Sequence, residues 1–85
     1  EVDFIVGDPE TGHATQLVQV CADLARGDTR QREVRALEAA MDEVGLREGT
    51  IVTMHDAEDL AVAGGVIHVV PAWSWMLGMH SKGNA

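Results

Sequence analysis

A carboxylate stands inside the first apolar stretch of the sequence. Asp3 interrupts the run over residues 2–6, and Gln19 and Cys21 alternate with apolar residues in a second run. A carboxylate among apolar neighbours is costly unless it is solvated, paired or bound to a cation. If the two runs pair as a hairpin, Asp3 and Gln19 lie side by side, with Glu1 and Cys21 at the same end. Two interpretations stay open: strand-end residues that reach water, or oxygen ligands of a metal ion.

A basic residue near the start of a predicted helix is the second candidate. Arg30 has the helical spacing of Val34 and Leu37, so it is predicted to point toward the sheet with them. From there its guanidinium can pair with Asp23, or contact a phosphate at the positive end of the helix. Arg26 lies in the same basic segment and is the other candidate for a phosphate contact.

The histidines and tryptophans suggest less chemistry. No C-x-x-C or H-x-x-x-H pair occurs, which argues against a zinc site, and His68 is expected to make local hydrogen bonds. Trp73 and Trp75 follow Pro71 in a short predicted helix, where they cannot both face inward. One is predicted to cover a thin core, and the other a partner surface on an upstream domain or a second copy. A stacking platform for bases is the alternative interpretation.

The elements that must position these residues predict an α/β fold. We expect a mixed sheet of about five strands, with one long helix across one face and a short C-terminal helix. A turn with glycine at both ends permits an antiparallel hairpin of the first two strands, and Ala63-Gly64-Gly65 is a hairpin signal for the last two. The strand–helix–strand order makes strands 15–21 and 50–54 parallel. The predicted strands are 2–6, 15–21, 50–54, 60–62 and 66–70, and the predicted helices are 29–44 and 72–78.

Length and composition set further bounds. The 85 residues are enough for one domain, predicted over 1–78 with a flexible tail over 79–85. The net charge of −8 argues against a broad DNA-binding face, although all five arginines fall between residues 26 and 47. A single cysteine, Cys21, permits no disulfide within the chain and fits a reducing cytoplasm. The apolar stretches are far shorter than the roughly 18 residues of a membrane-spanning helix.

Several segments together carry a resemblance to a known family. They resemble the C-terminal domain of unknown function of prokaryotic AAA-type ATPases, which is similar to the PD-(D/E)xK restriction-endonuclease-like fold. The Val-Pro-Ala-Trp-x-Trp ending and the Thr-Arg-x-Arg-Glu helix start are its most specific parts. The sequence begins without Met, directly in a strand, so we expect a C-terminal fragment of a longer ATPase. The matching segments are EVDFIV, LVQVCADL, DTRQREVRAL, TIVTM and IHVVPAWSWML.

The resemblance implies a catalytic site that has lost part of its motif. Active nucleases of that fold bind Mg²⁺ with an Asp on one strand and a Glu-x-Lys on the next. Asp3 matches the Asp, Gln19 the Glu and Cys21 the Lys; a thiol lacks the positive charge of lysine. We therefore expect an accessory, catalytically inactive domain that serves DNA or partner recognition, or assembly, beside an upstream ATPase domain.

Two alternatives to the inactive accessory domain stay open. An active nuclease would bind Mg²⁺ through Asp3 with Glu1 or Gln19, whereas a pure protein-interaction module would have no ligand. Homo-oligomers are compatible with each. No Gly-x-x-x-x-Gly-Lys-[Ser/Thr] loop occurs in these residues, so ATP binding is expected in the upstream part of the ATPase.

Overall fold

The computed structural model describes residues 3–82 and consists of one five-stranded sheet and two helices. Its mixed α/β architecture confirms the predicted five-stranded sheet with two helices, while the restriction-endonuclease-like fold stays a prediction. No helix in this part of the chain is long and apolar enough to cross a membrane. The elements in chain order are β1 (Phe4–Gly7), β2 (Ala14–Val20), α1 (Gly27–Val44), β3 (Glu48–Thr53), β4 (Glu58–Val62), β5 (Gly65–Pro71) and α2 (Ala72–Lys82).

The strands lie in the spatial order β1-β2-β3-β5-β4. β1 and β2 form the predicted antiparallel hairpin, and β4 and β5 form the second one. The crossover through α1 makes β2 and β3 parallel, as expected. The last strand, β5, pairs in parallel with β3 and separates it from β4. The strand order therefore leaves β1 and β4 at the two edges of the sheet.

The core lies between α1 and one face of the sheet. Leu37 and Met41 of α1 are buried at the predicted helical spacing, while Val34 packs at the margin of the core. Strand residues of one parity meet them, because alternate side chains of a strand point to the same face. The buried hydrophobic strand residues of this core are Leu17, Ile51, Ile67 and Val69.

Helix α1 ends as predicted but begins earlier than predicted. Gly45 follows its last turn in the left-handed conformation, with φ 76°, and Leu46 donates its backbone N–H to the Met41 carbonyl at 2.9 Å. At the other end the helix starts at Gly27, and the capping residue is Arg26, whose side chain makes no capping hydrogen bond. Asp28 therefore lies inside the first turn, where its charge favours the helix dipole.

Helix α2 lies on the opposite face of the sheet and is longer than predicted. Its segment was expected to end near residue 78, but the helix continues to Lys82. No proline follows to stop the helix, and Gly78 inside it costs only about 1 kcal/mol relative to alanine. The Trp75 ring stacks on Phe4 of β1, with ring centroids 6.5 Å apart. Of the predicted tail, residues 83–85 lie outside the described residues.

Candidate functional site

The first predicted site residue, Asp3, lies at the end of the β1–β2 hairpin. Its Oδ2 accepts a hydrogen bond from the backbone N–H of Val20 at 2.7 Å. The register pairs Phe4 with Val18, so Asp3 comes next to the end of β2, where Gln19 also lies. The expected proximity of Asp3 and Gln19 is therefore present. The Asp3 carboxylate is exposed and satisfies a backbone donor at the end of a strand, which agrees with the simpler of its two interpretations.

Gln19, which the resemblance matches to the nuclease Glu, is buried beneath α1. Only 1% of its surface is exposed, and its side-chain amide donates to both the backbone oxygen and a carboxylate oxygen of Glu33, at 3.0 and 2.7 Å. Its carbonyl oxygen, Oε1, is buried without a hydrogen-bond partner. The Gln19 amide therefore attaches the sheet to α1, and Oε1 is its one atom left for a ligand.

Cys21, which the resemblance matches to the nuclease Lys, has a thiol that is hydrogen-bonded within the chain. Its Sγ lies 3.5 Å from the backbone oxygen of Asp23, to which it donates. Burial raises the pKa of the Cys21 thiol, and the nearby Glu33 carboxylate acts in the same direction. The thiol is therefore neutral at physiological pH, and it supplies neither a cation nor a nucleophilic thiolate.

The three residues that the resemblance matches to the nuclease motif lie at one end of the sheet. Glu1, the other candidate metal ligand, lies outside the described residues. Within residues 3–82, no group of three or more His, Cys, Asp or Glu side chains has the arrangement of a metal site. The structure brings together Asp3, Gln19 and Cys21, but each of these side chains already makes an intramolecular hydrogen bond.

Arg30 does not pair with Asp23, one of the two partners considered for it. Its guanidinium makes a bidentate ion pair with Glu58 of β4, at 2.9 and 2.7 Å. Asp23 instead accepts the backbone N–H of Ala25. Hydrogen bonding to Arg30 lowers the pKa of the Glu58 carboxyl, and the same bonds raise the pKa of Arg30. The sequence did not indicate that Glu58 of β4 would be the partner of Arg30.

The second candidate for a phosphate contact, Arg26, is free of a strong partner. It lies 3.8 Å from Asp28 in a loose pair in which both side chains are about three-quarters exposed. Such a surface pair contributes little to stability. With Arg30 bound to a carboxylate, Arg26 is the one of the two candidates left for a phosphate contact, and it lies beside an acid.

A carboxylate–imidazole–carboxylate cluster was missed by sequence reasoning. On the face that carries α2, Nδ1 of His68 lies 2.8 Å from Asp59, and Nε2 lies 2.8 Å from Glu48. Both ring nitrogens can donate only in the doubly protonated imidazolium. The hydrogen bonds to Glu48 and Asp59 accordingly raise the pKa of His68. The expectation that His68 makes local hydrogen bonds is confirmed, with two carboxylates as its partners.

Part of this cluster was accessible from the sequence. A two-residue turn at Ala63-Gly64 pairs Val62 with Gly65, and counting back along both strands sets Asp59 opposite His68. Glu48 reaches His68 only because β3 and β5 are parallel neighbours, a pairing the sequence did not indicate. His68 and Glu48 border a groove of about 490 Å³ between the sheet and α2, together with Thr50, Ser74 and Trp75.

The two tryptophans have the different environments that were predicted. Trp75 is half-buried against Phe4, whereas Trp73 is 67% exposed. Met76 and Leu77 are also exposed, so α2 presents a large apolar surface to solvent. Contiguous exposed apolar surface on a small domain is typical of a protein interface.

Comparisons with known proteins return no match. No protein-family model, curated protein sequence or solved structure is significantly similar to the chain. The resemblance to the C-terminal domain of AAA-type ATPases therefore stays a prediction, and the geometry above is the basis for the function.

Proposed function

We propose that this chain is an accessory domain without catalytic activity of its own, and that it binds a protein partner. The proposal depends on one observation about Gln19. Its side-chain amide is buried and donates hydrogen bonds to Glu33. A metal-dependent nuclease needs exposed anionic oxygens and a cation in this region. Here the amide of Gln19 is hydrogen-bonded to α1, and the neutral thiol of Cys21 is hydrogen-bonded to the loop that follows β2.

Apolar side chains on the surface support a role in binding. Trp73, Met76 and Leu77 on α2 are each more than half exposed, and burying a side chain of this kind contributes about 1.5–3 kcal/mol. Exposed apolar side chains of this size on a small domain are typical of a surface that a partner covers. By the resemblance, we propose the ATPase domain of the same polypeptide as the partner.

Protein is a better supported partner than DNA. The net charge of −8 opposes approach to a polyphosphate, and Arg30 is already bound by Glu58. Arg26 is the remaining candidate contact, and one phosphate contact gives weak, salt-sensitive binding. The acidic balance instead favours a partner with a basic surface.

Binding to the ATPase domain is testable with two separately produced polypeptides. We expect this chain to form a stable complex with the ATPase domain in calorimetry and gel filtration. The double variant Trp73→Ser with Leu77→Ser should abolish the complex while leaving the circular dichroism spectrum unchanged. Val44→Ser, which also removes an exposed apolar side chain, is the matched control and should bind normally. Equal binding by both variants would contradict the proposal.

An active nuclease is the second candidate, favoured by one observation. Asp3 lies beside Gln19, whose Oε1 is buried without a partner, so one hard oxygen is available next to a carboxylate. Supercoiled and linear DNA incubated with Mg²⁺ or Mn²⁺ distinguish the candidates. We expect no cleavage by this chain or by the natural full-length polypeptide. Cleavage that disappears in Asp3→Ala would establish the nuclease and reject the inactive domain.

A further inference from the structure

The two edges of the sheet differ in how they are protected. At one edge, β4 carries Glu58 and Asp59, which pair with Arg30 and His68. Charged residues of this kind prevent a foreign strand from joining an edge. At the other edge, β1 consists of Phe4–Gly7 and contains no charged residue and no proline. Of the two edges, only β1 therefore lacks these protective features.

The side chains of β1 are apolar on both faces and exposed. Phe4 is 52% exposed, Ile5 63% and Val6 45%. The register puts Ile5 beside Leu17 on the core face, and Phe4 beside Val18 on the face that carries α2. Among residues 3–82, β1 has a strand neighbour on one side alone. Its outer backbone donors and acceptors are a template for an added strand.

Acidic residues lie at both ends of this apolar edge. Asp3 precedes β1, and Asp8 and Glu10 follow it in the turn toward β2. An antiparallel second copy would bring Asp3 of each chain toward the Gly7–Asp8 end of the other, and two chains of charge −8 repel each other. A strand with basic residues at both ends would instead be attracted. The charges therefore favour a different polypeptide over a second copy.

We propose that β1 binds an extended segment of a partner protein, which adds a strand to the sheet. The segment has a short apolar stretch flanked by lysine or arginine on both sides. Its backbone pairs with the outer side of β1, its apolar side chains cover Ile5 on one face and Phe4 with Val6 on the other, and its basic residues meet Asp3 and Asp8. This inference goes beyond the proposed function, because it adds a second binding surface apart from the exposed side chains of α2 and names the chemistry of its ligand.

The probe is a fluorescent synthetic peptide with five alternating valines and threonines between two lysines at each end. Its binding is followed by anisotropy, for both the natural full-length polypeptide and this chain, and hydrogen–deuterium exchange locates the contact. We expect saturable binding with new protection at residues 4–7. Peptides with glutamates in place of the lysines, or with alternate backbone nitrogens methylated, should not bind, because they lack the charge or the ladder donors.

A pair of matched variants tests the edge itself. Ile5→Lys puts a charge on the edge strand and should weaken binding about tenfold or more. Val44→Lys adds the same charge at an exposed position of α1, away from the edge, and should leave the affinity unchanged. Should Ile5→Lys fail to fold, as judged by circular dichroism, the methylated peptide provides the same test on the unmodified protein.

Each other occupant of β1 gives a distinct result. Binding by this chain but not by the full-length polypeptide would mean that another segment of the same polypeptide covers β1. Peptide-independent dimers in sedimentation, with protection at residues 4–7, would assign the edge to a second copy. Both results overturn the proposal, as does an absence of peptide binding. Protection confined to α2 would also overturn it while leaving the proposed partner-binding function intact.

Discussion

Arg30 on α1 and Glu58 on β4 join the helix to the far edge of the sheet through two hydrogen bonds of 2.9 and 2.7 Å. The residues are 28 positions apart in the sequence, and the pair fixes how the N-terminal turn of α1 lies over the sheet. Bidentate pairs between arginine and a carboxylate are geometrically specific. The contact therefore orients the helix and also protects the edge strand.

The first prediction concerns this ion pair. Arg30→Ala and Glu58→Gln should each lower Tm slightly, and the double variant should lower it by less than the sum of the two single variants, because either substitution alone already removes the pair. The loss should shrink at high salt, because exposed charges are screened. Arg35→Ala, an exposed arginine on the same helix, is the control and should leave Tm unchanged. Thermal melts at low and high salt measure all four proteins.

The same pair predicts an acid limit of stability. Arg30 lowers the pKa of Glu58 from its ordinary value of 4.5, so the ionised form is favoured in the folded state. The contribution is full above that ordinary value and is lost as the pH falls through the lowered pKa. Between pH 5 and pH 3, Glu58→Gln should therefore lose less stability than the unmodified protein. An identical pH dependence for the two proteins would contradict this role.

The second prediction concerns His68 and its two carboxylates. The bonds to Glu48 and Asp59 raise the pKa of His68, so the fold favours the protonated ring. This stabilisation is full below the ordinary pKa of about 6.5 and is lost as the pH rises through the raised value. We expect Tm to fall between pH 6 and pH 9, and to fall less in His68→Gln. His13→Gln, in an exposed loop, should follow the unmodified protein.

The cluster of His68, Glu48 and Asp59 illustrates how far the sequence could predict the site. The pairing of Asp59 with His68 follows from a short glycine turn, because the turn fixes the register of a hairpin. The contacts of Glu48 with His68 and of Arg30 with Glu58 depend on which strands are neighbours across long loops. Local sequence patterns carry no information on that choice, so neither contact was predicted.

The helices and strands were more predictable from the sequence than the contacts between them. The alternation of Leu17, Gln19 and Cys21 predicted which side chains of the second strand share a face. The spacing of Leu37 and Met41 predicted the buried face of α1. The burial of Gln19 beneath α1 was not predicted, because it depends on the distance between helix and sheet. Its hydrogen bonds to Glu33 are what suggest a structural role for this residue.

The third prediction compares two adjacent glycines. Gly65 has φ 150°, and a Cβ atom there would overlap the backbone of Arg47, whose carbonyl accepts the N–H of Val66 at 2.9 Å. Gly65→Ala should therefore destabilise the fold by about 1–3 kcal/mol or more, through strain and displacement of β5 from β3. At Gly64 a Cβ atom meets nothing within 4 Å, so Gly64→Ala should be nearly neutral. Urea unfolding of the two variants gives the comparison.

The fourth prediction concerns the one cysteine. Burial raises the pKa of the Cys21 thiol and restricts its access, so iodoacetamide should alkylate it several-fold more slowly than in the same chain unfolded in urea. Because no other cysteine is present, intact mass reports the reaction directly. Faster alkylation in the folded protein would mean an activated thiolate and would contradict the neutral thiol described above.

The position of β5 between β3 and β4 also determines when the protein can fold during its synthesis. β3 is central in the sheet, yet one of its two neighbours, β5, is the last of the strands among residues 3–82. Until residues 65–71 have left the ribosome, Ile51 lacks the core contacts that Ile67 and Val69 supply. A nascent chain that stops at Gly64 therefore exposes one side of β3 and is a substrate for chaperones and proteases.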